Sequence, residues 1–87
     1  MKQFQVYYKE LLVGVLYINE QGEYKYIRNK ELLDIISKDE PVAPALFAEK
    51  PEFGAEIPYF KVRLEANEKF DQLEAGFVTD NVRLKEF

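Results

Sequence analysis

The fold is decided by one hydrophobic stretch, LLVGVLYI, which occupies residues 11–18. Drawn as an extended strand, this stretch is apolar on both faces, because successive side chains of a strand point to opposite sides. A strand of this kind is typical of the centre of a sheet that is covered on both sides. The glycine in its middle, Gly14, predicts a place where a packed helix or a neighbouring strand leaves no room for a side chain.

Shorter strands are predicted on either side of residues 11–18. Residues 3–8 alternate between apolar and polar with period two, and the charged pair at residues 9–10 predicts a tight connection. Residues 19–22 predict a turn that ends in a glycine, and residues 23–27 predict a third strand. The three segments together predict an antiparallel meander.

The chain changes to helical spacing after the meander. Asn29 is a good N-cap, and Leu32, Leu33, Ile35 and Ile36 form one helical stripe behind it. This helix is predicted to end before the first proline of the chain. All four prolines lie in the connection that follows, which we expect to be long and ordered.

Strand and helix patterns return in the last third of the chain. Residues 59–65 alternate between apolar and charged with period two and predict a further strand. Residues 66–77 predict a short helix capped near Asn67, and residues 78–87 allow a last strand. Residues 1–87 are therefore expected to form a single α+β domain. Its predicted order is an antiparallel three-stranded meander followed by a helix, then a further strand and a short C-terminal helix.

Length and composition place the chain among ordinary folded proteins. It has 87 residues, of which 47% are hydrophobic and 32% charged, enough for one modest core. Its first residues lack the apolar run of a signal peptide, and residues 11–18 are too short to cross a bilayer. Without cysteine there is no disulfide framework, so we expect a cytoplasmic protein with no membrane contact.

Charge is distributed unevenly along the sequence. The net charge is −4, with eleven acidic and six basic residues in the segment 39–87. The sequence has no cluster of Lys and Arg that could bind the phosphates of a nucleic-acid backbone, so direct nucleic-acid binding is not expected. The acidic segment is either a solvated surface or a face offered to a basic partner.

The side chains of most catalytic devices are missing. The chain has no His, no Cys, one Ser and one Thr, which excludes Ser-His-Asp and Cys-His devices and zinc sites built on His and Cys. The pairs Glu49 with Glu52 and Glu65 with Glu68 have suitable spacing for acid–base work, but such pairs are common on solvated surfaces. We expect no enzymatic activity, no cofactor and no metal.

Aromatic residues make up 15% of the chain and allow two interpretations. They can pack the core, or they can form part of an exposed sheet face, because one helix covers only one face of a three-stranded sheet. Tyrosine suits an interface, since it buries a large area and keeps a hydrogen bond. The candidate partner-binding residues are Tyr7, Tyr17, Tyr24, Tyr26, Phe47, Phe53, Tyr59 and Phe60.

Residues 4–60 contain a series of motifs in a defined order. VYYKELLVGVL at residues 6–16 is followed by a polar glycine turn at 19–22, an aromatic strand at 24–26 and the start of a helix at 31–33. This order resembles the N-terminal subdomain of HipA-type serine/threonine kinases. Residues 61–87 lie outside the resemblance.

The resemblance implies a function as well as a fold. The kinase itself is absent from 87 residues, so the chain looks like a free-standing version of the subdomain. Small HipS-like antitoxins of this kind bind a shortened HipA-like kinase and neutralise it. We therefore expect a non-catalytic antitoxin or accessory subunit for such a kinase. Two alternatives stay open: a homo-oligomeric or scaffold domain unrelated to toxin–antitoxin systems, and a small carboxylate-dependent enzyme or ligand binder.

Overall fold

A computed structural model describes residues 1–70 and 81–86 of the chain. The fold is α+β, with one antiparallel five-stranded sheet. Its elements in chain order are β1 (Lys2–Tyr8), β2 (Leu11–Ile18), β3 (Tyr24–Arg28), α1 (Lys30–Ser37), a 3₁₀ turn (Pro44–Phe47), β4 (Lys50–Gly54), α2 (Pro58–Phe70) and β5 (Val82–Glu86).

The sheet has the strand order β4-β3-β2-β1-β5. The predicted meander is therefore confirmed, and β2 is its central strand. The predicted order of the whole fold is confirmed as well, with β4 as the further strand and α2 as the helix after it. The last strand expected in residues 78–87 is β5, which pairs with β1.

Two predictions about the segment after α1 are wrong. Residues 59–65 are helical, and the further strand lies earlier, in the proline-rich connection. Pro58 stands at the first position of α2, where its fixed φ favours a helix and its missing N–H costs nothing. Asn67 lies inside α2 and does not begin a helix, and residues 71–77 of the predicted C-terminal helix lie outside the described residues.

The core lies between the helices and one face of the sheet. Asn29 caps α1 as predicted, its side-chain oxygen accepting a hydrogen bond from the Leu32 N–H at 3.2 Å. Leu33 and Ile36 point into the core, whereas Ile35 is 61% exposed and leaves the predicted stripe. The buried residues form one cluster: Phe4, Val6, Tyr8, Val13, Leu16, Tyr24, Tyr26, Leu33, Ile36, Leu46, Phe60 and Val82.

Gly14 occupies the crowded position that the sequence predicts. A Cβ atom there would lie 2.6 Å from a ring carbon of Tyr26 and 2.9 Å from the carbonyl oxygen of Ile27. The aromatic ring of Tyr26 therefore rests directly on the backbone of the central strand. None of the described helices is long and apolar enough to cross a membrane.

Candidate functional site

The two faces of the sheet differ in what covers them. On one face of the sheet, the strand side chains pack in the core cluster with residues from α1, the 3₁₀ turn and α2. The residues of the opposite face belong neither to that cluster nor to the hydrophobic residues packed against it. We call this opposite face the open face. It is built from alternate strand residues: Gln3, Gln5, Tyr7, Leu12, Val15, Tyr17, Lys25, Ile27, Phe53, Arg83 and Lys85.

The centre of the open face is apolar and aromatic. Tyr7 lies opposite Leu12 across β1 and β2, and Val15 lies opposite Ile27 across β2 and β3. Directly opposed side chains on one face of a sheet are close enough to touch, so these residues and Tyr17 form a continuous strip. Leu12 and Ile27 remain 39% and 37% exposed. The prediction that β2 is covered on both sides is therefore wrong for the described residues.

Lys25 is held in place by two aromatic rings of the open face. Its Nζ atom lies 4.7 Å from the ring centroid of Tyr17 and 5.1 Å from that of Phe53. Each contact of this kind stabilises a surface cation by about 0.5–1 kcal/mol. The half-buried ammonium is thereby fixed at the surface.

The charged residues among those that define the open face are all positive. Lys25, Arg83 and Lys85 lie on it, and none of the residues that define it is acidic. The ion pairs seen among the described residues lie elsewhere: Lys9 with Glu40, Lys30 with Asp34 and Lys61 with Glu56. The described residues that segment 39–87 contributes to the open face are Phe53, Arg83 and Lys85, so its acidic excess does not appear among them.

Three of the predicted partner-binding residues lie on the open face, namely Tyr7, Tyr17 and Phe53. Tyr7 donates a hydrogen bond from its hydroxyl to the side-chain oxygen of Gln5 at 3.0 Å, which orients the ring along β1. Phe53 reaches the same face from β4 and closes the aromatic pair around Lys25.

Three other predicted residues are in the core: Tyr24, Tyr26 and Phe60 are 5%, 0% and 0% exposed. The expectation that Tyr24 and Tyr26 share an exposed face with Tyr7 and Tyr17 is wrong, because alternation along β3 turns both rings toward the helices. Tyr26 packs against Phe60 with ring centroids 4.9 Å apart. Its hydroxyl donates a hydrogen bond to the carbonyl oxygen of Leu46 at 3.0 Å.

The remaining two, Phe47 and Tyr59, are half-buried on the helix side. Both pack against the core, and the Tyr59 ring meets Phe60 edge-on at 5.4 Å. The Phe47 carbonyl accepts a hydrogen bond from the Arg28 guanidinium. The proline-rich connection and the tyrosines of β1 and β2 therefore do not form one surface, and Phe53 alone links the two sets.

A groove of about 700 Å³ lies on the helix side at one end of the sheet. Phe4, Ile18, Tyr24, Leu64 and Leu84 are among its walls. Residues of both signs line it as well, Lys2, Lys61, Glu20, Glu65 and Glu86 among them. Because groups of both signs line the groove, it offers no single charge that would select a partner.

Sequence reasoning missed most of the open face. Leu12 and Val15 lie in the strand that the sequence predicts to be covered on both sides, and Ile27 ends the third predicted strand without a predicted role. A charge count along the chain also does not separate the cations by face. Alternation along the strands predicts most of the set, because the period of a strand is two. It misses Leu12, because the register shifts between Val6 and Tyr7 of β1, and it misses Phe53, because β4 was not predicted. The open face holds amines, a guanidinium, phenols, amides and apolar groups, which suit binding. A comparison with known protein families, known proteins and solved structures finds no match to this chain.

Proposed function

We propose that this chain is a non-catalytic protein-binding module whose contact surface is the open face. One observation carries the proposal: a continuous strip of Tyr7, Leu12, Val15, Tyr17 and Ile27 that no described residue of the core cluster covers. Clustered aromatic and aliphatic side chains on a regular sheet present area to a partner at little entropic cost, because the backbone is already fixed.

The proposed partner is a HipA-like serine/threonine kinase, which the chain would bind and neutralise as an antitoxin or accessory subunit. The resemblance of residues 4–60 to the N-terminal subdomain of such kinases supports this partner, together with the confirmed order of meander and helix. A free-standing subdomain would occupy the place that a shortened kinase leaves empty.

The homo-oligomeric alternative is disfavoured by the charges of the open face. In a symmetric pair the same patch meets its own copy. Lys25, Arg83 and Lys85 of both copies would then enter one interface, and like charges brought together there are destabilising. A different protein avoids this cost.

The proposal is tested by titrating the chain against a purified HipA-like kinase that lacks its own N-terminal subdomain. Tyr17→Ala and Phe53→Ala are expected to weaken binding by about 2 kcal/mol, roughly thirtyfold, while the melting midpoint changes little. Ile35→Ala is the matched control, since Ile35 is an exposed apolar residue on α1. Isothermal titration and thermal melting read the two effects separately.

Kinase autophosphorylation gives the second readout. The wild-type chain is expected to lower it, and the purified chain alone is expected to show no hydrolase, transferase or kinase turnover. The proposal is wrong if the wild type does not bind the kinase, or if Tyr17→Ala and Phe53→Ala bind as well as Ile35→Ala. If the purified chain shows turnover, and if changing Glu49, Glu52 or Glu65 to Gln abolishes it, the carboxylate-dependent enzyme is the correct alternative and the proposed binding function is wrong.

A further inference from the structure

We infer that the open face receives an acidic polypeptide segment, one whose carboxylates flank an apolar centre. This inference rests on the proposed function, because it gives the partner chemistry for the same face. The inference follows from the positions of the cations on the open face. The net charge of the sequence does not show these positions.

The cations stand on both sides of the apolar strip. Lys25 lies on β3, and Arg83 and Lys85 lie on β5, with β2 and β1 between them. Three strand spacings separate the two flanks, which is about 14 Å. An extended segment that crosses the strands covers about 13 Å in four residues. Carboxylates at that spacing would reach both flanks while the side chains between them meet Val15 and Tyr17.

The cations are available to a partner. The side-chain amines of Lys25 and Lys85 form no ion pair or hydrogen bond among the described residues, whereas those of Lys9, Lys30 and Lys61 each have a carboxylate. Arg83 donates one long hydrogen bond, 3.4 Å, to the backbone carbonyl of Lys9 and keeps its other donors. An ammonium held between two rings, as in Lys25, loses little further freedom when it meets a carboxylate.

The size of the face favours a segment over a second folded copy. A patch of five strands and about five residues along each strand measures about 24 Å by about 17 Å, or roughly 400 Å². A stable pair of folded proteins buries about 800 Å² on each partner. The open face alone is therefore smaller than a standard interface between two folded proteins, and one segment of a partner, such as a protruding segment of the proposed kinase, is enough to cover it.

The charge of the remaining surface disfavours a nucleic acid. A backbone of phosphates requires several clustered cations, and the chain as a whole is negative. The rings of Tyr17 and Phe53 already contact Lys25, so they are not free platforms for stacked bases. An acidic polypeptide needs only the few charge contacts that the face provides.

The test uses the full chain and a synthetic acidic peptide in which glutamates stand on either side of an apolar centre. A second peptide carries lysine at every glutamate position, and a third probe is an oligothymidylate strand. Backbone amide shifts in nuclear magnetic resonance spectra locate each probe on the chain. Fluorescence anisotropy at about 50 and about 500 mM salt gives the affinities.

The acidic peptide is expected to shift the amides of β1, β2, β3 and β5 and to bind less tightly in high salt. Lys25→Glu and Lys85→Glu should each weaken it about three- to tenfold. Lys38→Glu, at the exposed residue that follows α1, is the matched control and should bind as the wild type does.

The inference is overturned if the lysine peptide binds as tightly, if the shifted amides lie on the helix side, or if the oligothymidylate binds the same face more tightly. Self-association through the face in sedimentation would overturn it in favour of a second copy. If Tyr17→Ala loses the kinase but the charge-reversed variants bind kinase and acidic peptide normally, this inference fails and the proposed function stands.

Discussion

At the scale of single residues, Gly14 decides whether β2 and β3 can lie together. Gly14→Val would place a branched side chain against the Tyr26 ring and the Ile27 carbonyl, both closer than real side chains allow. We expect a loss of about 1–3 kcal/mol in the free energy of unfolding, because overpacking in a core forces its neighbours to shift. That loss lowers the melting midpoint by several degrees, roughly 4–8 °C per kcal/mol in a domain of this size.

Gly54→Ala is the matched control for that substitution. The atoms that an added Cβ would meet there belong to the flexible end of the Lys50 side chain, which can move away. Thermal melting by circular dichroism compares the two variants. An unchanged midpoint for Gly14→Val would show that the Tyr26 ring does not rest on β2 as described.

The buried hydroxyl of Tyr26 links stability to alkaline pH. Burial raises the pKa of Tyr26 well above its ordinary value of 10.0, and burial also raises the pKa of Tyr24. The folded state therefore holds these protons more tightly than the unfolded chain does. This stability is fully present below pH 10, and it is lost as the pH rises above that value.

Tyr26→Phe is expected to reduce that alkaline loss without abolishing it, because Tyr24 remains. At neutral pH the same change should cost about 1 kcal/mol, since the Leu46 carbonyl loses its donor. Urea unfolding between about pH 7 and about pH 11 measures both effects. A variant whose stability falls as steeply as that of the wild type would assign the alkaline loss to other groups.

At the scale of elements, α2 shows how one short sequence can satisfy two periods. Phe60, Val62 and Leu64 alternate as in a strand, yet Phe60 and Leu64 are also four residues apart and share a helix face. In the structure Phe60 is buried and Leu64 half-buried, while Val62 is 66% exposed. Helical spacing therefore determines which of these residues pack.

Paired substitutions in α2 separate the two spacings. Leu64→Ala should lower the free energy of unfolding by about 1–2 kcal/mol, since it removes partly buried apolar contacts. Val62→Ala should change it by less than about 0.5 kcal/mol, because the residue is exposed and alanine favours a helix. Urea unfolding compares them, and equal losses at the two positions would favour the strand.

The edge strand β4 could not be anticipated for the opposite reason. Lys50–Gly54 contains Pro51 and ends in glycine, both unfavourable inside a strand. The strand is tolerated because it pairs on one side only, with β3, and its register is irregular between Tyr24 and Tyr26. Strong local signals predicted the meander and α1, and a weaker one allowed β5, whereas no local signal indicated a strand inside the proline-rich connection.

At the scale of the whole molecule, the sequence gives two faces of each strand without saying which one the helices cover. Tyr17 and Tyr26 are equally suited to a core or a surface. The choice is made by contacts between distant segments, such as the hydroxyl of Tyr26 with Leu46 and its ring with Phe60. The sequence therefore proposed these six aromatic residues as partner-binding without separating them. The structure places Tyr7, Tyr17 and Phe53 on the open face and Tyr24, Tyr26 and Phe60 in the core.

The same limit applies to charge. The segment 39–87 is acidic when counted along the chain, yet it supplies Arg83 and Lys85 to the open face. Neighbouring residues of a strand point to opposite faces of the sheet. A net charge summed along the sequence therefore combines the charges of two different surfaces. Only the pairing of β5 with β1 brings these cations beside the tyrosines.

The pairing of β1 with β5 also sets an order of assembly during synthesis. Phe4 pairs with Glu86, 82 positions later, whereas Val6 pairs with Gly14 only 8 positions later. Closing the longer loop from an unfolded chain costs about 2 kcal/mol more in entropy. A ribosome releases β1 to β4 well before β5. Until β5 is released, the edge of β1 that faces away from β2 has unpaired backbone N–H and C=O groups. A chaperone or a strand of another protein can bind this edge most readily before β5 pairs with it.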